Sequence, residues 1–220
     1  MYIADLKTIK YGEETCGQIR PIGGRIAGGK LAVPHLQPWI AHFFVHTSYM
    51  CGGALITRWH VLSAAHCNHG FSHAVLGDYN VLVKDGEERY KIKKWHDHPM
   101  AHWLPKSGPV INDFAIAELI LPVIFSDSIN PICLPPRGAI EYTNKNVTIS
   151  GWGTIEWKGR WPNRLRTTTL TVLSNAQCQA AWNKSWGKFN VDYNSSILLC
   201  SADMKSYKKD ACTGDSGGMR

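Results

Sequence analysis

Three short segments carry side chains suited to proton transfer and acyl chemistry. They are Ser63-Ala64-Ala65-His66-Cys67, Asn112-Asp113-Phe114-Ala115 and Asp210-Ala211-Cys212-Thr213-Gly214-Asp215-Ser216-Gly217-Gly218. A serine hydroxyl is a weak nucleophile at neutral pH and needs a base within hydrogen-bond reach. An imidazole with a pKa near ~6.5 suits that task, because it takes the proton and returns it to a leaving group. A carboxylate on the other ring nitrogen fixes the tautomer and stabilises the imidazolium. Ser216, His66 and Asp113 supply these three types, and glycine at 214 leaves the approach to neighbouring backbone N–H groups unobstructed. Taken alone, His66 also reads as a structural histidine beside a cysteine bridge; its two partners favour the chemical reading.

The order His, Asp, Ser along the chain is that of the chymotrypsin type and differs from the subtilisin and α/β-hydrolase orders. On these motifs the chain resembles, from about Cys16 to Gly218, the chymotrypsin-fold, trypsin-like serine endopeptidases of the peptidase S1 type. The resemblance implies His66, Asp113 and Ser216 as a triad, with the N–H groups of Gly214 and Ser216 as the oxyanion hole. Asp210, six residues before Ser216, stands by resemblance at the base of the substrate pocket and implies cleavage after Arg or Lys. A solvated loop aspartate beside Lys208 and Lys209 is the alternative. Arg25-Ile26-Ala27-Gly28-Gly29 resembles the site at which zymogens of this family are cut. Cleavage after Arg25 would free the Ile26 amine, mostly cationic at pH 7 with a pKa near ~8, to pair with Asp215. A nickable Arg-Gly loop is the other reading. Residues 1–25 are then a propeptide or light-chain segment tethered by Cys16, and residues 26–220 a protease domain.

Seven cysteines in 220 residues point to an oxidising compartment. The resemblance pairs Cys51 with Cys67, Cys178 with Cys200, and Cys16 with Cys133, and leaves Cys212 unpaired because its family partner follows the nucleophile. Val147 stands where many relatives carry a further cysteine. The chain stops two residues after Gly218, so the expectation is a second barrel incomplete at its C-terminus and a pocket lacking its far wall. The segment from Asp78 to Glu88 resembles the calcium loop of this family, with oxygen donors from Asp78, Asn80, Val83, Asp85 and Glu88. Oxygen-only donors suit Ca²⁺. An acidic solvated loop is the alternative. The triad chemistry requires no cofactor, so structural calcium is the one ion the sequence raises.

Stepping from chemistry to the elements that must hold it, Ala41–Val45, Val147–Ser150 and Thr167–Val172 are short stretches, rich in β-branched or aromatic residues, between Gly, Pro and Asn turns. They suit an all-β antiparallel barrel fold, and together with the resemblance they imply two antiparallel barrels with the site between them, His66 and Asp113 on the first and Ser216 on the second. Ser174 and Gln177 have capping-box spacing ahead of Cys178–Trp182, which predicts one helix. No signal peptide or membrane span is readable: Asp5, Lys7 and Lys10 break the N-terminal segment, and Glu118 interrupts a short apolar run. Secretion is nonetheless the expectation, with Asn146, Asn183 and Asn194 as glycan acceptors in Asn-x-Ser/Thr triplets. The charge of +7 is scattered, without a basic run interleaved with aromatics, so nucleic acid is not an expected partner. Expected partners are proteins cut after Arg or Lys, an activating protease and protein inhibitors. The rival readings are a non-catalytic homologue, or an inactive fragment, that acts by binding.

Overall fold

Alternation of apolar and polar residues sets the architecture of the first half. A computed structural model describes residues 16–19, 30–45, 49–68, 70–103, 110–136, 142–156, 159–186, 194, 198–204, 211 and 213–218. Strands β1 (Lys30–Leu31), β2 (Ile40–Val45), β3 (Tyr49–Thr57), β4 (His60–Ser63), β5 (His73–Leu76), β6 (Glu88–Asp97), β7 (His102–Trp103), β8 (Val110–Ile111) and β9 (Ala115–Leu119) come first. Six of them close an antiparallel barrel in the order β2-β3-β4-β9-β6-β5. In β9 every second residue is buried, and two of those are alanines, at 115 and 117, which leave room for Phe43, Leu55, Val61 and Leu76 inside a narrow barrel.

The second half contributes β10 (Asn146–Gly151), β11 (Arg166–Val172), helix α1 (Asn175–Trp186) and β12 (Ser201–Ala202). Its four-stranded sheet runs β1-β11-β10, with β12 added to β11. The three predicted stretches all lie within strands, and the fold is the mostly β, two-barrel type expected from the sequence. Helix α1 begins where the local code says it should. The Ser174 backbone N–H donates to Gln177 Oε1 at 3.0 Å and the Gln177 N–H donates back to Ser174 Oγ at 3.3 Å, the reciprocal arrangement of a capping box.

Three disulfides join the pairs expected from the resemblance: Cys51–Cys67, Cys178–Cys200 and Cys16–Cys133, with Cα separations of 6.1, 5.6 and 5.0 Å. The third closes a loop of 117 residues and ties residues 16–19 to the body, where the Gly17 N–H also donates to the Pro131 carbonyl. The halves meet along a seam of backbone bonds, in which Leu165 N–H donates to Tyr79 O and Val81 N–H donates to Asn163 O. Trp152, buried at 2% exposure, donates its indole N–H to Tyr79 O at 3.2 Å.

On the outer face of the barrel, Glu118 accepts hydrogen bonds from Lys93 Nζ at 2.6 Å and His96 Nε2 at 2.9 Å. Lys93 first and His96 second pull its carboxyl down from 4.5 to about 2. A depressed carboxyl stabilises the fold fully above its unfolded value and loses that contribution as pH falls through the folded one. Lys93 is mostly exposed, so solvent screens the pair. Glu118→Gln is expected to cost less than about 1 kcal/mol at pH 7. Urea unfolding should show this difference shrinking to nothing between pH 4.5 and pH 2.

Candidate active site

His66 sits in a single 3₁₀ turn (Ala65–Cys67) that follows β4, and the turn is anchored to β3 by the Cys51–Cys67 disulfide. Asp113 lies between β8 and β9, directly after Asn112, whose φ of +52° belongs to the left-handed region that asparagine tolerates better than most residues. Asn112 Nδ2 donates to Met100 O at 3.1 Å, and Phe114 N–H donates to Asn112 O at 2.8 Å. This brace aims the Asp113 carboxylate at the turn. Its Oδ1 accepts the His66 backbone N–H at 2.9 Å and its Oδ2 accepts the His66 ring Nδ1–H at 2.6 Å. Burial pushes the Asp113 carboxyl up, but the His66 ring and backbone bonds outweigh it and hold the group below the ordinary carboxylate value. An ionised Asp113 accepting Nδ1–H leaves Nε2 as the ring nitrogen free to take a proton.

Ser216 comes to the same place on a segment folded by glycines. Gly214 and Gly217 have φ of +97° and +74°. The Ser216 carbonyl accepts the Gly52 N–H at 2.6 Å and lies 3.7 Å from Cys67 Sγ, so the serine is docked on the barrel that carries His66. Among the described residues, the Ser216 hydroxyl makes no hydrogen bond, and the N–H groups of Gly214 and Ser216 have no acceptor. Asp215 points the other way, into the second half. Its Oδ1 accepts the Gly153 N–H at 2.8 Å, and a Cβ at Gly151 or Gly153 would stand 2.2 or 2.4 Å from its carboxylate atoms. The Gly-Trp-Gly sequence at 151–153 is thereby explained. A small cavity beside Asp215 is lined by His42, Gly52, Gly151, Trp152 and Gly214.

Residues 26–219 match the family model described as Trypsin. The chain belongs to the trypsin family. Among relatives, the serine protease filzig of Drosophila melanogaster is 33% identical over 92% of this chain and 12% of its own length. The venom serine protease Bi-VSP of Bombus ignitus is 32% identical over 92% of this chain and 58% of its own. Mouse kallikrein-11 is 31% identical over 90% and 69%. The chain therefore spans a small part of the first relative and somewhat over half of the second.

Arg25, Ile26, Asp210 and Cys212 lie outside the described residues. Of the five residues expected to ring a calcium ion, the three carboxylates, Asp78, Asp85 and Glu88, do not converge on one point. Asp78 Oδ2 accepts His42 Nε2–H at 2.8 Å in the interior. Asp85 accepts the N–H groups of Tyr79 at 3.4 Å and Asn80 at 3.0 Å, the Asn80 carbonyl accepts Val83 N–H at 2.9 Å, and Glu88 accepts the Tyr90 hydroxyl. Burial, with that bond to Glu88, pushes the Tyr90 hydroxyl up to about 12. Calcium takes six to eight oxygens at one point, and these three carboxylates lie too far apart to share one, so the residues as folded do not fit the ion. The one convergent set of metal-type side chains among the described residues, Cys51, His66 and Cys67, has its two sulfurs joined to each other and offers no thiolates.

The motifs did not point to two aromatic neighbours of the site. Trp103, 63% exposed at the end of β7, places its ring 6.4 Å from that of His66 in an edge-on arrangement. Trp161 covers Gly214 so closely that a Cβ there would stand 2.1 Å from the indole. Two tryptophans, Trp95 and Trp103, lie between the His and Asp motifs and nothing in the sequence separates them; nothing local signals Trp161.

The glycine geometry gives a stability test. Gly70 has φ of +81° and nothing within 4 Å of an added Cβ, whereas at Gly217 the same atom would stand 2.4 Å from Ser63 Oγ and 2.7 Å from Gly52 O. Gly70→Ala is expected to cost about 1 kcal/mol from backbone strain. Gly217→Ala should cost at least about 1 kcal/mol more, because the docked segment is overpacked. Urea midpoints measure both, and equal costs would contradict this docking.

Proposed function

We propose that this chain is a serine endopeptidase that cuts peptide bonds after Arg or Lys through an acyl-enzyme. The observation that carries the proposal is the two-point grip of Asp113 on His66, with Ser216 held on the same barrel face. Ser216 Oγ attacks the scissile carbonyl carbon while His66 Nε2 takes its proton, and the carbonyl electron pair moves onto oxygen. The N–H groups of Gly214 and Ser216, without an acceptor among the described residues, suit that oxyanion. Collapse breaks the C–N bond, and His66 returns the proton to the departing amine. Water then repeats the sequence on the ester. Asp113 keeps the imidazole in the needed tautomer and stabilises its cation.

The ring separation and hydroxyl contacts of a resting site are often looser than those of a substrate complex, so the lack of a Ser216–His66 bond is compatible with catalysis. It is also the one observation that favours a binding protein with the same fold, and reactivity of Ser216 separates the two readings. Asp210 is proposed to sit at the base of the specificity pocket. Activation is proposed to follow a cut after Arg25, with the Ile26 amine pairing with Asp215, which borders a small cavity lined in part by glycines. The natural setting is proposed to be extracellular. Three disulfides, with exposed Asn146, Asn183 and Asn194 as glycan acceptors, support this. No described helix is long and apolar enough to cross a membrane.

A form extended beyond Arg220 and cut after Arg25 is expected to hydrolyse Arg and Lys esters, and Ser216→Ala to reduce its kcat by about 10⁶-fold. A fluorophosphonate should label Ser216 in this cut form; failure to label favours the binding reading, and preference for aromatic substrates would overturn the role of Asp210. Arg25→Gln is expected to stay inactive after exposure to a trypsin-like activator. If its turnover equals that of the cut form, the activation scheme is wrong.

A further inference from the structure

We propose that the loop between β5 and β6, residues 77–87, is held by an internal histidine in place of calcium. His42 on β2 and Asp78 at the head of the loop form a pair buried to 2% and 6% side-chain exposure, with Nε2 and Oδ2 2.8 Å apart. A carboxylate taken out of water needs a donor or a cation, and leaving it bare is strongly destabilising. The His42 N–H is that donor. The other Asp78 oxygen, Oδ1, is buried without a hydrogen-bond partner among the described residues, and Asp78 belongs to no convergent group of three or more metal-type side chains there.

The remaining donors are spent on the loop itself. Asp85 folds back onto the N–H groups of Tyr79 and Asn80, and the Asn80 carbonyl, which an ion would need, closes a turn with Val83. At the start of that turn the loop backbone is stitched to the second half through Tyr79, Val81 and an Asn80–Arg164 bridge. His42 has a further consequence, because its ring packs at 4.9 Å against Trp152, the residue that donates to Tyr79 O. One buried histidine therefore joins the barrel, the loop and the Gly151–Gly153 wall around Asp215. This inference rests on packing and donor geometry and does not depend on catalysis by Ser216.

The test uses the full chain and reads stability. Thermal unfolding in 10 mM CaCl₂ and in excess EGTA should give Tm values within about 1 °C of each other, and calorimetric titration with CaCl₂ should show no binding heat. A loop site with Kd of about 0.1 mM would instead raise Tm by at least about 5 °C at that concentration. His42→Leu should lower Tm on the order of 10 °C, because it strands the Asp78 carboxylate. His42→Gln, which keeps a side-chain N–H donor, should recover at least half of that loss. A saturable calcium stabilisation abolished by Asp78→Asn, or a His42→Leu chain that melts within about 2 °C of the unaltered one, overturns the proposal. If His42→Leu does not fold, the calcium titration of the unaltered chain decides alone.

Discussion

The Ser216 carbonyl is bonded to the Gly52 N–H at 2.6 Å, and around that bond two backbones touch with no side chain between them. A Cβ on Gly52 would stand 2.7 Å from Gly218 Cα, and one on Gly217 would strike Ser63 Oγ. The position of the serine relative to His66 is set by this contact, because β3 and the Ala65–Cys67 turn are themselves joined by the Cys51–Cys67 disulfide. A nucleophile and a base from different parts of the chain must be held within about 0.5 Å of productive geometry, and side chains with rotatable bonds hold position less well than backbone packed on backbone. The cost is sequence freedom at Gly52, Gly217 and Gly218.

Around this contact the acidic groups are each met in a different way. Asp113 is gripped by the His66 ring and backbone, Asp215 takes the Gly153 N–H, and Asp78 takes the His42 ring. Each pairing answers the same constraint, that a carboxylate withdrawn from water must be hydrogen-bonded. Glu118, on the wetter outer face, gathers Lys93 and His96 and contributes little. The membership of the trypsin family places the fold; the donors found for each carboxylate are read from the tertiary structure. The loop from Asp78 to Glu88 illustrates the point, since its sequence suits an ion while its oxygens are distributed among protein donors.

Much of the chain was legible without coordinates. The helix start at Ser174 and Gln177 depends on residues three apart, so the local code suffices. The strands β2, β10 and β11 announce themselves through residues favouring a pleated, half-buried surface. The His66, Asp113 and Ser216 motifs were each readable because the chemistry demands particular side chains in glycine-rich or small-residue surroundings. The two-barrel fold and the three cysteine pairs came with the family resemblance.

What only the tertiary structure decided are partners distant in sequence. His42 meets Asp78 across 36 residues, and Trp152 reaches Tyr79 across 73. Trp103 comes beside His66 and Trp161 covers Gly214 because hairpins and turns bring them there, and no periodicity records that. The same is true of the oxygens at 78, 80, 85 and 88: their types allow a cation, but whether they converge depends on where β2 and the residues around 163–165 pack. A sequence determines which groups are available for bonding; burial and the positions of competing donors determine which bonds form.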